Sequence, residues 1–220
     1  MVLPAHPLSR CSIAVAVAAL CSGLSPAWSE VSITGSFNAG GYLLPIGPGS
    51  TDLGANTLAL SGSGVGSLLV NNSSFLKASS IRFADDPMGV ATGVFDGQST
   101  LVELRGDGNT NRLELGIWGR GSLVVSGGAT FDARANGADC QLGFKWCHNF
   151  IGNFAGGNAL LTVTGADSNA SFLRAFVVGG ATAFKQSIEG FDYGTPGGTT
   201  RGRVEVLNGG KLTTDEARLA

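Results

Sequence analysis

Charge is scarce in this sequence. Charged residues fill 14% of its 220 positions, and only four of them are lysines, whereas an ordinary soluble domain carries about a quarter. With a formal net charge of −2 there is no basic stripe to neutralise phosphates, which excludes nucleic-acid binding as a function class. Histidine is rarer still, at two residues. Beyond residue 29 only His148 is left, and no nucleophile stands beside it for acid–base catalysis except Cys147. Long apolar runs are missing too. The run from Ile13 to Leu20 is far short of the roughly 20 residues that a bilayer core needs, so no transmembrane segment is expected in the mature chain.

That short run has another meaning. It follows a basic start ending at Arg10 and precedes Ala27-Trp28-Ser29, which is small at the two positions a signal peptidase inspects. Residues 1–29 are therefore expected to be a signal peptide, leaving Glu30 as the new terminus. The product would pass through the periplasm to the cell surface or beyond. Leu20 stands before Cys21 where a lipidation signal wants a small residue, which argues against a lipoprotein. About 190 residues remain, enough for one elongated domain, with residues 30–59 expected as a capping segment and residues 60–220 as the repeat region.

What the chain has in excess is glycine, 35 residues in 220, without a collagen period. The glycines punctuate a recurring line of alternating apolar residues: GSLLVNNSSF (66–75), GSLVVSGGATF (121–131) and GRVEVLNGGKL (202–212), with looser copies STLVELRGDG (99–108) and ALLTVTGADS (159–168). A unit this short cannot bury its own apolar face, so the copies must stack and share one core, as in a solenoid of strands. The inward pairs are read as Leu68/Val70, Val102/Leu104, Leu123/Val125, Leu161/Val163 and Val204/Val206. Alternation then puts Leu69, Glu103, Val124, Thr162 and Glu205 on the opposite side. Val102 and Leu123 are 21 residues apart, about one coil, and the stack is expected to hold roughly eight coils advancing by about 4.8 Å each.

Turns between the strands fall at Asn71-Asn72, Gly106-Asp107-Gly108, Gly127-Gly128, Gly165-Ala166 and Asn208-Gly209-Gly210, residue types that tolerate positive φ. The same turns suit antiparallel hairpins, so a β-sandwich or meander is the competing architecture. Against it, each second strand leads onward to the next copy of the first.

The segment GDGNTNRLELGIWGRGSLVVSGGATFDA (106–133) resembles the repeat of type V secretion autotransporter passengers and of PEP-CTERM-associated proteins. Leu113, Leu115 and Gly116 match the first half of that repeat, and Gly119, Gly121, Leu123, Val125, Gly127, Gly128 and Phe131 match the second. Further matches at Val177-Val178-Gly179 and from Val204 to Leu212 extend it over most of residues 60–215. The resemblance implies an all-β chain folded as a right-handed parallel β-helix and displayed outside the cell. It also implies a membrane barrel or a sorting tail, and neither is read before Ala220. The chain accordingly reads as a fragment whose last coil is open, with self-association through that end as an expected consequence.

Candidate sites are few. Cys140 and Cys147 sit in the least repeat-like insertion, ADCQLGFKWCHNF (138–150), and in an oxidising compartment they are expected to form a disulfide, worth about 2 kcal/mol for so short a loop. With His148 they make only three of the ligands a zinc site needs. Arg105-Gly106-Asp107 spells a host-receptor tripeptide, but each residue has a place in the strand and turn. Asp85-Asp86 and Asp107 could hold calcium only if oxygens converged from several turns. No catalytic, cofactor-binding or metal residue is assigned, and no cofactor is implied. The function expected is a structural or adhesive scaffold contacting a surface glycan, matrix component or host protein. The alternative is a polysaccharide lyase or glycoside hydrolase. Two outward carboxylates on neighbouring rungs would favour the enzyme, and a smooth face of Thr, Ser and Asn the scaffold.

Overall fold

A computed structural model of the chain describes residues 30–35, 37–38, 49–105, 112–134, 149–152, 156–179 and 200–219. The signal segment 1–29, Cys140, Cys147, His148 and the turn Gly106-Asp107-Gly108 lie outside the described residues. Within them the chain is all-β, and no helix is long and apolar enough to cross a membrane.

Among the described residues seventeen strands form two curled sheets. The first sheet has the order β1 (Glu30–Gly35), β5 (Val65–Asn71), β8 (Val90–Asp96), β11 (Arg120–Ser126), β14 (Asn158–Thr164), β16 (Arg201–Leu207). From β5 onward every neighbour is parallel and in register. The second sheet comprises two tracks that meet in the long strand β15 (Asn169–Val178). One track runs β3 (Ser50–Asp52), β6 (Phe75–Ala78), β9 (Leu101–Leu104), β12 (Thr130–Ala133), then the first half of β15 and of β17 (Lys211–Leu219). The other runs β2 (Phe37–Asn38), β4 (Thr57–Leu60), β7 (Ser80–Phe83), β10 (Leu113–Leu115), β13 (Asn149–Ile151), then the second halves of β15 and β17. From β3 onward the chain visits the three tracks in constant order, so strands adjacent in space there are one circuit apart in sequence. These parallel pairings rule out the sandwich and meander. Among the described residues only β1 on β5 and β2 on β4 are antiparallel, and β4 straddles the expected boundary between residues 59 and 60.

One assignment of the repeat is corrected. Leu68/Val70, Leu123/Val125, Leu161/Val163 and Val204/Val206 belong to the first sheet, but Val102 pairs with Leu76 and Phe131 on the second. The missing member of the first ladder is β8, which places Gly93 opposite Leu68 and Leu123, and Phe95 opposite Val70 and Val125. Successive circuits, measured from Val65 through Val90, Arg120, Asn158 and Arg201, are therefore 25, 30, 38 and 43 residues, not 21. Five parallel rungs, not eight, stand in the first sheet among the described residues. The physical reason lies at Gly93. The Phe83 ring fills the place a leucine side chain would take: a Cβ on Gly93 would lie 2.7 Å from Phe83 Cζ and 2.8 Å from Leu123 Cδ1. With glycine there, β8 loses the apolar alternation by which a strand is recognised.

The core lies between the sheets. Leu68, Val70, Val102, Leu104, Leu123, Val125, Leu161 and Val163 are fully buried in it. Phe95, Phe131, Phe172 and Phe176 form a chain of rings with successive centroids 5.5, 5.6 and 4.6 Å apart, a spacing at which aromatic pairs add to simple burial. Val204 is partly buried and Val206 is 46% exposed, since β16 has a strand neighbour on one side, β14, among the described residues.

The corner between the first sheet and the second alternates in length. Turns of three residues (72–74, 127–129, 208–210) alternate with turns of four (97–100, 165–168). Each holds two residues at positive φ: Asn72 and Ser73, Gly97 and Ser99, Gly127 and Gly128, Gly165 and Asp167, Asn208 and Gly209. The last residue of each four-residue turn is a buried hydroxyl that serves the turn before it. Ser73 N donates to Thr100 Oγ1 at 3.1 Å, and Gly128 N to Ser168 Oγ at 3.0 Å. Gly127 is confined by position as well as by φ, because a Cβ there would meet Asp96 Oδ1 at 2.5 Å and Gly97 N at 2.8 Å.

Candidate functional surface

Parallel register turns every outward position into a ladder. On the first sheet one ladder reads Leu69, Val94, Val124, Thr162, Glu205, and its neighbour reads Ser67, Thr92, Ser122, Leu160, Arg203. These two ladders carry hydroxyls and aliphatics until the last rung brings charge, with Asp96 and Arg120 at the strand ends beside them. The first track of the second sheet is different. Its central outward ladder is Asp52, Lys77, Glu103, Asp132, Ser171, Thr213, four consecutive ionisable residues in a chain otherwise poor in charge.

Glu103 and Asp132 are direct neighbours on adjacent rungs. The sequence gives Glu103 and Glu205 equivalent but non-adjacent outward positions, with Val124 and Thr162 between them, by placing β9 on the first sheet; the structure separates the two glutamates onto different sheets. Asp132 escapes notice in the sequence because Thr130–Ala133 is too short for its alternation to stand out, although its distance past the Gly127-Gly128 turn is a usable signal.

Arginines close this cluster. One nitrogen of Arg105, Nη2, lies 3.4 Å from Glu103 Oε1 and 3.3 Å from Asp132 Oδ2. Arg134 grips Asp132 in a fork, with Nε 3.0 Å from Oδ1 and Nη2 3.0 Å from Oδ2, while its backbone N–H donates to Oδ1 at 2.9 Å. Below them Lys77 Nζ reaches Asp52 Oδ2 at 3.0 Å. Burial is the largest influence on Asp132 and raises its carboxyl. The hydrogen bonds from Arg134, with the charges of Arg134 and Arg105, outweigh it and hold the group below the usual carboxylate range. Asp52 is likewise held low, chiefly by the Gly54 N–H. Asp132 and Asp52, held low in this way, present fixed negative charge near neutral pH.

A second charged cluster lies on the other track. Glu114 is buried, with Arg82 Nε at 3.0 Å and Arg112 Nε at 3.5 Å. The remaining residues singled out from sequence find local roles. Arg105, of the receptor-like tripeptide, is the bridge just described. Asp85 lies 4.0 Å from Arg82, and Asp86 Oδ1 accepts from Met88 N at 2.9 Å. Among the described residues no group of three or more His, Cys, Asp or Glu is placed to hold a metal ion.

Compared with known proteins, the chain matches no family model, no curated protein and no solved structure.

Proposed function

We propose that this chain is an exported repeat scaffold, a right-handed parallel β-helix of autotransporter-passenger or PEP-CTERM-associated type, with a structural or adhesive role at or beyond the cell surface. The observation that carries the proposal is the in-register parallel stacking of the first sheet from β5 to β16, which converts each outward residue into a ladder along a rod. Right-handedness follows the strong chiral preference of parallel crossovers. The partners that suit the surface are a glycan, a matrix component or a host protein laid along the charged ladder of Lys77, Glu103 and Asp132.

Cross-linking tests the fold. Ser122 and Leu160 are outward partners on adjacent rungs, so Ser122→Cys with Leu160→Cys should oxidise to a bridge within one chain; failure to form it, with Cys140 and Cys147 accounted for, would sink the β-helix. N-terminal sequencing of the exported product should begin at Glu30. Binding of the purified chain to panels of glycans and matrix proteins should weaken when Lys77 and Arg134 are replaced by Ala, and an unchanged panel would remove adhesion along this face. Thiol titration should find Cys140 and Cys147 oxidised.

One observation favours the enzyme reading, the adjacency of Glu103 and Asp132 on neighbouring rungs. Under that reading acidic polysaccharides would be cleaved with new reducing ends, and Glu103→Gln would abolish the cleavage. The arginine fork on Asp132 supports the scaffold over it.

A further inference from the structure

The outward side of the first sheet carries a pattern that stacking alone does not require. Its two central ladders run from β1 to β14 without a break in register, from Ser32 and Thr34 through Leu69 and Ser67 to Thr162 and Leu160. Every position in them is a hydroxyl or an aliphatic residue. No acid, base, amide or aromatic ring enters over these five strands, whereas an ordinary surface interleaves charges of both signs. The ladders are open to solvent: Val94 is 36% exposed, and in the column beside them Val65 is 65% and Val90 37% exposed.

In-register strands fix the spacing of what they display. Outward side chains stand about 4.8 Å apart along the stack and about 6.6 Å apart along a strand, so the face is a two-dimensional array. Hydroxyls already join across its rungs where Thr34 Oγ1 and Ser67 Oγ lie 2.5 Å apart. The chemistry of the array turns away most partners. Without charge it does not attract phosphates or anionic headgroups, and without an aromatic wedge or a basic rim it does not seat in a lipid surface. A small molecule needs a concave site that covers most of its area, and this is the surface of a sheet. A second copy laid face to face on the two ladders would cover on the order of 300 Å², well short of the ~800 Å² per partner that a stable interface buries.

What the array does offer is order to water. Hydroxyl groups hold first-shell water by hydrogen bonds, aliphatic groups restrict its orientation, and the fixed spacing repeats both effects from rung to rung. We propose that the outward face of the first sheet, centred on Thr92 and Val94, binds ice, with water ordered over its hydroxyl and aliphatic ladders as the joining layer. Ice is neutral, periodic and unlimited in extent, so a patch too small for a protein partner meets it without a boundary. The side chains stand on paired strands, which lowers the ordering cost of adsorption. This activity goes beyond the scaffold reading and does not use the charged ladder of the second sheet.

Partition into slowly grown ice tests it on the purified full chain. The wild type should be enriched in the ice over the remaining liquid, in which serum albumin stays behind, and should restrain the coarsening of ice grains on annealing. Val94→Lys and Thr92→Lys, both at exposed outward positions and checked for unchanged strand content by circular dichroism, should each lose the enrichment. Val94→Thr, which keeps the shape, should retain it, as should Gln98→Lys, which puts the same charge on an exposed turn off the face. A wild type excluded from ice, enrichment that survives either lysine variant at Thr92 or Val94, or an equal loss in Val94→Thr or Gln98→Lys would overturn the proposal. So would capture by microcrystalline cellulose or phosphatidylcholine vesicles, or a wild-type dimer, that Val94→Lys abolishes, because the face would then serve a glycan, a lipid surface or a second copy.

Discussion

β11 and β16 are nearly the same strand in two settings. Both begin Arg-Gly and both alternate, with Leu123 and Val125 of one matched by Val204 and Val206 of the other through the intervening β14. Yet Val125 is fully buried and Val206 is 46% exposed. The pattern in the strand is thus only a capacity for burial; the neighbours above and below realise it. In a stacked chain, stability is shared between rungs, and a residue's worth depends on where its rung sits.

Truncation measures that difference most directly. Leu123→Ala should cost about 3 kcal/mol, since its site is enclosed on both sides, whereas Val206→Ala should cost less than about 1 kcal/mol. Urea midpoints read the contrast, and equal losses at the two sites would break it.

The middle of the stack should also resist enlargement. Gly93→Leu would drive a side chain into the space of Phe83 and Leu123, at a cost of about 2 kcal/mol. The same change made in a Phe83→Ala background should cost less, because it then fills the space vacated. Additive losses in the double variant would disprove the exchange of volume between these two positions.

Charge gives a third, smaller contrast. Asp132 lies in a middle rung and its carboxyl is held below its ordinary value of 3.8. Its contribution to stability is therefore fully present above that ordinary value and is lost as pH falls through the lower folded value. Asp132→Asn should cost about 1.5 kcal/mol at neutral pH by removing charge-assisted hydrogen bonds, and should flatten the acid side of the stability curve. If acid sensitivity is unchanged, the fork with Arg134 is not maintained in solution. Val206→Thr, an isosteric change at the exposed end, should shift stability by no more than about 0.5 kcal/mol.

Much of this architecture can be read in the sequence, for a physical reason. A period of two reports an inward face, so the pairs at Leu68, Leu123, Leu161 and Val204 are found from alternation alone, and their turns from Asn and Gly at positive φ. The same period does not say which sheet holds the strand. Val102/Leu104 therefore passed for a member of the first ladder, and the true member was hidden because Gly93 has no side chain to count. That one exchange also hid the charged ladder. Placing β9 on the wrong sheet moved Glu103 away from Asp132, and their adjacency depends on pairing between residues far apart in the chain. The fork of Arg134 on Asp132, by contrast, is local and legible once the strand is recognised.

The alternating corner has a consequence for how such a chain can lengthen or shorten. Thr100 and Ser168 each close a four-residue turn and accept from the three-residue turn before them, so the repeating unit at this corner is two rungs. Deleting a rung with a four-residue turn would bring two three-residue turns together and leave a backbone N–H without its hydroxyl. Deleting two would restore the sequence of turns. Insertions and deletions in this chain should accordingly be tolerated in pairs of rungs, and thermal midpoints of one-rung and two-rung deletions would show whether the corner counts in twos.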